Sequence, residues 1–273
     1  MLRVMTFNIR YGTARDGRNS WDRRRAAVAR VIRDAAPHLV GLQEALAFQN
    51  RYLEQQLPGY RWTGVGRDDG GAAGEHASLF YDATALRLVT SHTFWFSDTP
   101  DLPSRGWGNR CQRICTHARL YHPGWGRSFH AFNVHLDLSA RIRIRSVKLL
   151  LSMIERHAGG EPVVVLGDFN CGPRSEPYRQ LLEAGLRDSF WARPAEVSPL
   201  SLTFHNFKGH RLERFPRRVF TRMDWVLHDR QLAAEECGIL DAKVDGRYPS
   251  DHYPVLASLS PADPDPGSSG AGL

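Results

Sequence analysis

Apolar positions along the chain follow two periods. Leu2–Ile9, Leu39–Gln43 and Val163–Leu166 are short apolar runs of the kind that fills buried strands. Val28, Val31, Ile32 and Ala35 stand at i, i+3, i+4 and i+7, which predicts a helix over 22–36 with Ser20 as its cap and Pro37 as its stop. A second helix is predicted over 47–57, ending at Pro58-Gly59. Segments 77–81, 86–96, 112–121 and 128–135 read as successive strands joined by turn-rich connections. Val147, Leu150, Leu151 and Ile154 share one face of a helix over 139–157, and a short helix covers 176–184. Strands at 222–228, 236–241 and 253–259 complete the series. Strand hairpins interleaved with amphipathic helices predict an α/β fold of two packed sheets with helices outside.

No internal repeat or linker divides the chain, so residues 1–260 are expected to form one domain. Pro261–Leu273 (PADPDPGSSGAGL) has almost no apolar content and is expected to be a disordered tail. With 42% hydrophobic and 24% charged residues in 273, the chain is neither a disordered polymer nor a disulfide scaffold. It has no apolar run of about 18 residues, so no transmembrane segment is expected. MLRVMTFNIRYG lacks the hydrophobic centre of an export signal. Cys111, Cys115, Cys171 and Cys237 match no zinc spacing, and reduced thiols in a cytoplasmic protein are the expectation.

The net charge is +7, and apart from Lys148, Lys208 and Lys243 every cation is an arginine. Arginine suits bidentate contact with phosphate, so an anionic partner, nucleic acid included, is permitted. A basic run at Arg211, Arg214, Arg217 and Arg218 reads as a solvated face or a phosphate-facing loop. Trp95, Trp107 and Trp125 are core anchors or stacking surfaces for bases.

Polar residues interrupt the apolar strands at their ends: Phe7-Asn8-Ile9, Leu42-Gln43-Glu44, Asn133-Val134-His135-Leu136-Asp137, Gly167-Asp168-Phe169-Asn170, Met223-Asp224-Trp225 and Ser250-Asp251-His252. Each alone reads as a turn or cap. Brought together, their carboxylates repel, by about 4 kcal/mol for two charges 4 Å apart at an effective dielectric of 20. Such a cluster requires protons or a cation. An oxygen-rich donor set without paired cysteines suits Mg²⁺ or Mn²⁺ rather than zinc.

The strings TFNIRYG, GLQE, FNVHLD, GDFN, RMDWV and PSDHYPV, in this order, resemble the signature series of the endonuclease/exonuclease/phosphatase (DNase I-like) superfamily. GEHASLFYD, TFWFSDTP, RICTHARL and SEPYRQL are similar to its compact bacterial members. The resemblance implies a four-layer α/β sandwich, two mixed β-sheets flanked by helices, and a divalent-metal-dependent hydrolase of phosphodiester or phosphomonoester bonds. By the same resemblance Glu44 is the principal metal ligand, with Asn8 and Asp251 beside it. Asp168 orients or deprotonates the attacking water and Asn170 holds a phosphoryl oxygen. Asp251 orients His252, which acts as base or as electrostatic partner of the phosphate. His135 donates to a phosphoryl or leaving oxygen, Asp224 stands near His135 or the metal, and Glu75 corresponds loosely to a glutamate that orients His135. Arg113 and His205 are candidate substrate contacts.

Some positions depart from the pattern. Arg10 stands where repair members often carry an acid, and His135 replaces their tyrosine, which disfavours an abasic-site endonuclease. The implied activities are thus a nuclease or a small-molecule phosphodiesterase or phosphatase. A sphingomyelinase-like lipid head-group phosphodiesterase is the alternative. A catalytically inactive binding protein is disfavoured, because every motif carries chemically competent residues.

Overall fold

The computed structural model describes residues 1–192, 202–209, 222–241 and 243–263. The basic run at 211–218 and residues 264–273 of the expected tail lie outside them. The described strands form two six-stranded sheets. The first sheet contains β1 (Leu2–Asn8), β2 (Leu39–Gln43), β3 (Tyr60–Thr63), β4 (Leu79–Asp82), β11 (Leu232–Ile239) and β12 (Val255–Pro261), in the order β11-β12-β1-β2-β4-β3. The second contains β5 (Arg87–Trp95), β6 (Ile114–His122), β7 (Arg127–His135), β8 (Val163–Asp168), β9 (Arg187–Asp188) and β10 (Asp224–His228), in the order β5-β6-β7-β8-β10-β9.

Four α-helices among the described residues, α1 (Trp21–Ala35), α2 (Ala47–Gln56), α3 (Ala140–Ala158) and α4 (Glu176–Glu183), cover the outer faces. Alternation along each strand separates three apolar layers. Val4, Leu39, Ala131, Leu166, Val226 and Ala257 meet between the sheets. Met5, Phe7, Val40 and Leu42 face α1 and α2 through Val28, Ile32 and Leu53. Phe132, Val134, Val165 and Trp225 face α3 and α4 through Val147, Leu150, Met153 and Leu181. Burying each such aliphatic side chain stabilises the fold by about 1.5–3 kcal/mol. This is the four-layer sandwich expected from the motif series.

Helix α1 forms where the apolar period placed it, and it ends at Ala36, which takes a left-handed φ of 42° before Pro37. Strands β3 and β9 were not anticipated. β3 is half-buried without alternation, and β9 has two residues. Strand β11 begins at Leu232, four residues earlier than expected, with a bulge between Ala234 and Glu236. Strand β12 reaches Pro261, the first residue assigned to the tail.

A buried polar pin joins the sheets. Gln43 Nε2 donates to Asn133 Oδ1 (2.7 Å) and to Thr6 Oγ1 (3.1 Å). Asn133 Nδ2 donates to the carbonyls of Leu42 and Ser78, both at 2.9 Å. Gly41 permits this approach, since a Cβ there would lie 2.8 Å from the Asn133 side chain. The pin satisfies its own buried amides. It fixes one sheet against the other next to the edge where the polar strand ends gather.

Candidate active site

Strand direction brings the motifs to one edge. β1 and β2 are parallel, as are β7 and β8, so Asn8, Glu44, His135 and Asp168 all lie at C-terminal strand ends. β10 runs antiparallel to β8, which sets Asp224 opposite Asp168. β12 runs antiparallel to β1, which returns the preceding Asp251 and His252 to the same edge.

Asn8 links the sheets there. Its Nδ2 donates to Glu44 Oε1 (3.1 Å) and to Asp168 Oδ2 (3.0 Å). Its Oδ1 accepts from the Arg10 amide at 3.0 Å. Glu44 adopts a left-handed φ of 60°, and its Oε2 accepts from the Tyr11 amide at 3.1 Å. His252 Nδ1 lies 2.9 Å from Asp224 Oδ2, so that nitrogen carries hydrogen. Its Nε2 faces Asp168 Oδ2 at 3.8 Å, and His135 Nε2 approaches the same oxygen at 3.6 Å. Asp168 Oδ1 accepts from the Asn170 amide at 2.9 Å. The Asn170 side chain gives one amide hydrogen to the Leu136 carbonyl at 2.9 Å, which leaves its second hydrogen for a ligand.

Burial sets the protonation states. Asp168 is pushed up to about 7, by burial and then by the Asp224 carboxylate, against the pull of His252. Burial alone would lower His252, but Asp224, followed by Asp168 and Asp251, outweighs it and lifts the imidazole to about 10. Asp251 is raised, chiefly by burial. His135 is held well below its ordinary value by burial and by the charges of Arg113 and Arg67. Burial and the neighbouring charges thus favour the charged ring at His252, the neutral ring at His135 and a proton on Asp168 more than on an ordinary carboxylate.

Several positions differ from expectation. The partner of His252 is Asp224 and not Asp251, because adjacent side chains diverge at the turn before β12. Asp251 instead accepts from Ser250 Oγ (3.2 Å) and faces Arg10 Nε (3.8 Å). His205, a candidate substrate contact, is fully buried, its ring lies on Tyr253 at 3.9 Å, and its amide donates to the Asp251 carbonyl at 2.8 Å. Its neighbour Thr203 holds β10, its Oγ1 accepting from the amides of Met223 (3.0 Å) and Asp224 (3.2 Å). Arg113 is buried beside His135, with Nε 3.8 Å from Asp137 Oδ2, and Nε and Nη1 lack hydrogen-bond partners among the described residues. Glu75 lies 3.8 Å from His135 Nδ1 and pairs with Arg67 at 2.7 Å. Trp95 is a buried anchor that donates to the Arg67 carbonyl.

Arg10 and Arg24 join the site although neither belongs to a polar strand end. Arg10 is clamped by Asp16 (3.1 and 3.2 Å) and stands 3.9 Å from Glu44 and 3.8 Å from Asp251. Arg24, 1% exposed, donates to the carbonyls of Ile9, Arg10 and Pro249, so α1 props the loop beneath Glu44 and Asp251. The signal for Arg24 lay in the period: it follows Trp21 by three and precedes Val28 by four, within the apolar stripe.

The donor set fits a hard divalent cation. Asp224 Oδ1 is buried without a hydrogen-bond partner among the described residues, and Asp168 and Asp251 are held above the usual carboxylate range. Asp168 and Asp224 bring carboxylate oxygens within 4.8 Å of one another, with His252 beside them as their charge partner. Glu44 and Asp251 add oxygens at the rim.

A sandwich of this topology, with a histidine–aspartate pair at one sheet edge, defines a class of phosphoesterase-type hydrolases. The Endonuclease/Exonuclease/phosphatase family model matches residues 5–252, and the chain belongs to that family. The endonuclease/exonuclease/phosphatase of Bacteroides vulgatus superposes with a TM-score of 0.87 at 35% identity, covering 96% of this chain and 99% of that one. A mannosyl-6-phosphatase of Bacteroides thetaiotaomicron superposes with a TM-score of 0.85 at 30% identity, covering 95% of this chain and 100% of its own. An uncharacterized protein of Acanthamoeba polyphaga mimivirus is 28% identical over 180 residues, 62% of this chain and 67% of that protein. Among the described residues no helix is long and apolar enough to cross a membrane.

Proposed function

We propose that the protein is a divalent-metal-dependent phosphatase that hydrolyses a phosphomonoester of a small molecule, a sugar phosphate being the first candidate. The observation that carries this reading is the pairing of a proton-holding His252–Asp224 dyad with a near-neutral Asp168 across an oxygen-rich edge. Similarity to a mannosyl-6-phosphatase along that enzyme's whole length supports a small phosphomonoester over a nucleic acid. The cations at Arg10, Arg67, Arg113 and His252 suit a dianionic phosphate.

Glu44, with Asn8 and Asp251, would hold Mg²⁺ or Mn²⁺, which when bound supplies charge neutralisation at the phosphoryl group. Asp168 Oδ2, poised near neutrality, accepts a proton from the attacking water while Asn8 Nδ2 fixes its orientation. His252, oriented by Asp224 through Nδ1, presents Nε2–H to a phosphoryl oxygen. The free amide hydrogen of Asn170 meets a second oxygen. His135, neutral, offers an N–H toward the leaving oxygen.

The test is hydrolysis of p-nitrophenyl phosphate, bis-p-nitrophenyl phosphate and a panel of sugar phosphates. The monoesters should turn over faster than the diester, EDTA should stop the reaction and Mg²⁺ should restore it. Glu44→Gln and His252→Ala should each lower turnover by about 10²–10⁴-fold. Full activity in EDTA would exclude the metal, and preference for the diester would exclude the monoester reading.

A further inference from the structure

One cation at the active edge is built into the chain itself. Arg10 stands two residues past the end of β1 with a left-handed φ of 56°, a conformation that side-chain-bearing residues rarely adopt. Its backbone is pinned on both sides. The amide donates to Asn8 Oδ1 (3.0 Å), and the carbonyl accepts from Arg24 Nη2 (2.7 Å) and Gln49 Nε2 (3.1 Å). Strained backbone over-determined in this way is found where a side chain has to be aimed.

The side chain is held as firmly. Arg10 Nε and Nη2 donate to Asp16 Oδ2 (3.1 Å) and Oδ1 (3.2 Å), a bidentate clamp that fixes the guanidinium plane. The clamp turns Nη1 to 3.9 Å from Glu44 Oε2 and sets Nε 3.8 Å from Asp251 Oδ2. Both separations are too long for hydrogen bonds, yet at this range opposite charges attract strongly in a partly buried site. A fixed positive charge therefore stands beside two carboxylates that the fold brings together from residues 44 and 251.

We infer that Arg10 is the second cation of this edge: held by Asp16, it takes up the field that Glu44 and Asp251 would otherwise offer to a second divalent ion, so that the site takes one ion and not two. The inference rests on the metal-dependent reading above. Two-metal phosphoesterase sites hold their ions about 3.5–4 Å apart, and a second ion bridging Glu44 and Asp251 would fall against the guanidinium. Glu44 has little left to offer such an ion, since Oε1 already accepts from Asn8 Nδ2 (3.1 Å) and Oε2 from the Tyr11 amide (3.1 Å). Arginine suits the task because its charge persists at every working pH and is never lost to solution. Arg10 is thereby a positioning residue that sets the stoichiometry of the site. A mere loop tie would be complete with the Asp16 clamp and would leave ion stoichiometry untouched.

The test is Mn²⁺ binding to the full chain, counted by calorimetry and read by electron paramagnetic resonance, where two ions at bridging distance broaden each other's signal. Wild type should bind one Mn²⁺ per chain without that broadening. Arg10→Met keeps an unbranched side chain and removes the charge. It should bind a second Mn²⁺ at least about ten-fold more tightly than wild type does, with the broadened signal. Arg10→Lys restores the charge and should return the count to one. Two ions in wild type overturn the inference even if Arg10→Met fails to fold. So does a single ion in folded Arg10→Met, or two in Arg10→Lys, and in each of these cases the metal-dependent reading stands. Wild type that binds no Mn²⁺ tighter than about 1 mM overturns that reading and the inference with it.

Discussion

Asp224→Asn tests the protonation logic of the active edge most directly. The carboxylate is fully buried and its Oδ2 lies 2.9 Å from His252 Nδ1. A rise of the imidazole from 6.5 to about 10 corresponds to about 5 kcal/mol in favour of the charged ring. A charge pair at 2.9 Å in an effective dielectric of 20 contributes about 6 kcal/mol, from which burial subtracts, so Asp224 supplies the largest favourable part and Asp168 and Asp251 the remainder. Asparagine keeps the shape and removes the charge. Burial is then opposed only by Asp168 and Asp251, and His252 should titrate at or below its ordinary 6.5. The assay is the NMR titration of the His252 ring in metal-free protein across the neutral and alkaline range. Turnover at neutral pH should fall by about 10²–10⁴-fold, because the proton on Nε2 is no longer held. An imidazole in Asp224→Asn that titrates as in wild type would refute the reasoning, as would a variant with undiminished turnover.

The same dyad predicts a pH dependence of folding. The folded pKa of His252 lies above its unfolded value, so its stabilisation is whole below pH 6.5 and is lost between 6.5 and about 10. Urea midpoints of metal-free protein on either side of this window should drop more in wild type than in Asp224→Asn. Arg222→Ala leaves Asp188 buried without its ion-pair partner and should cost about 3–5 kcal/mol in urea unfolding. A loss below about 1 kcal/mol would contradict the pairing. Gly167→Ala places a Cβ 2.1 Å from the Val134 carbonyl at a φ of +147°, next to Asp168. It should destabilise by about 1–3 kcal/mol or more and depress turnover, both read from one purified variant.

The polar strand ends were the readable part of this molecule, because a carboxylate at the close of an apolar run breaks a strong pattern. Asn8, Glu44, His135, Asp168, Asp224 and His252 all reach one edge as their motifs implied. Pairing within the cluster was less legible. Asp251 and His252 are neighbours in sequence, yet their side chains part, and His252 meets a residue 28 positions away. His205 sits behind Asp251 with its ring packed on Tyr253, a placement its motif does not reveal. Strand β3 escaped notice because its half-buried residues carry no alternation. Arg24 was hidden by its type: an arginine on a helix reads as solvated until the carbonyls of three separate residues are found around it.

The amide pin of Gln43, Asn133 and Thr6 lies beneath the reacting groups and also holds the segment before β4 through the Ser78 carbonyl. Distances between side chains contributed by opposite sheets are thereby set in the interior and not by the connecting loops. Substrate preference and chemistry are then separable in this scaffold. Grafting a rim segment from a relative should exchange what is recognised while leaving the hydrolytic centre in register.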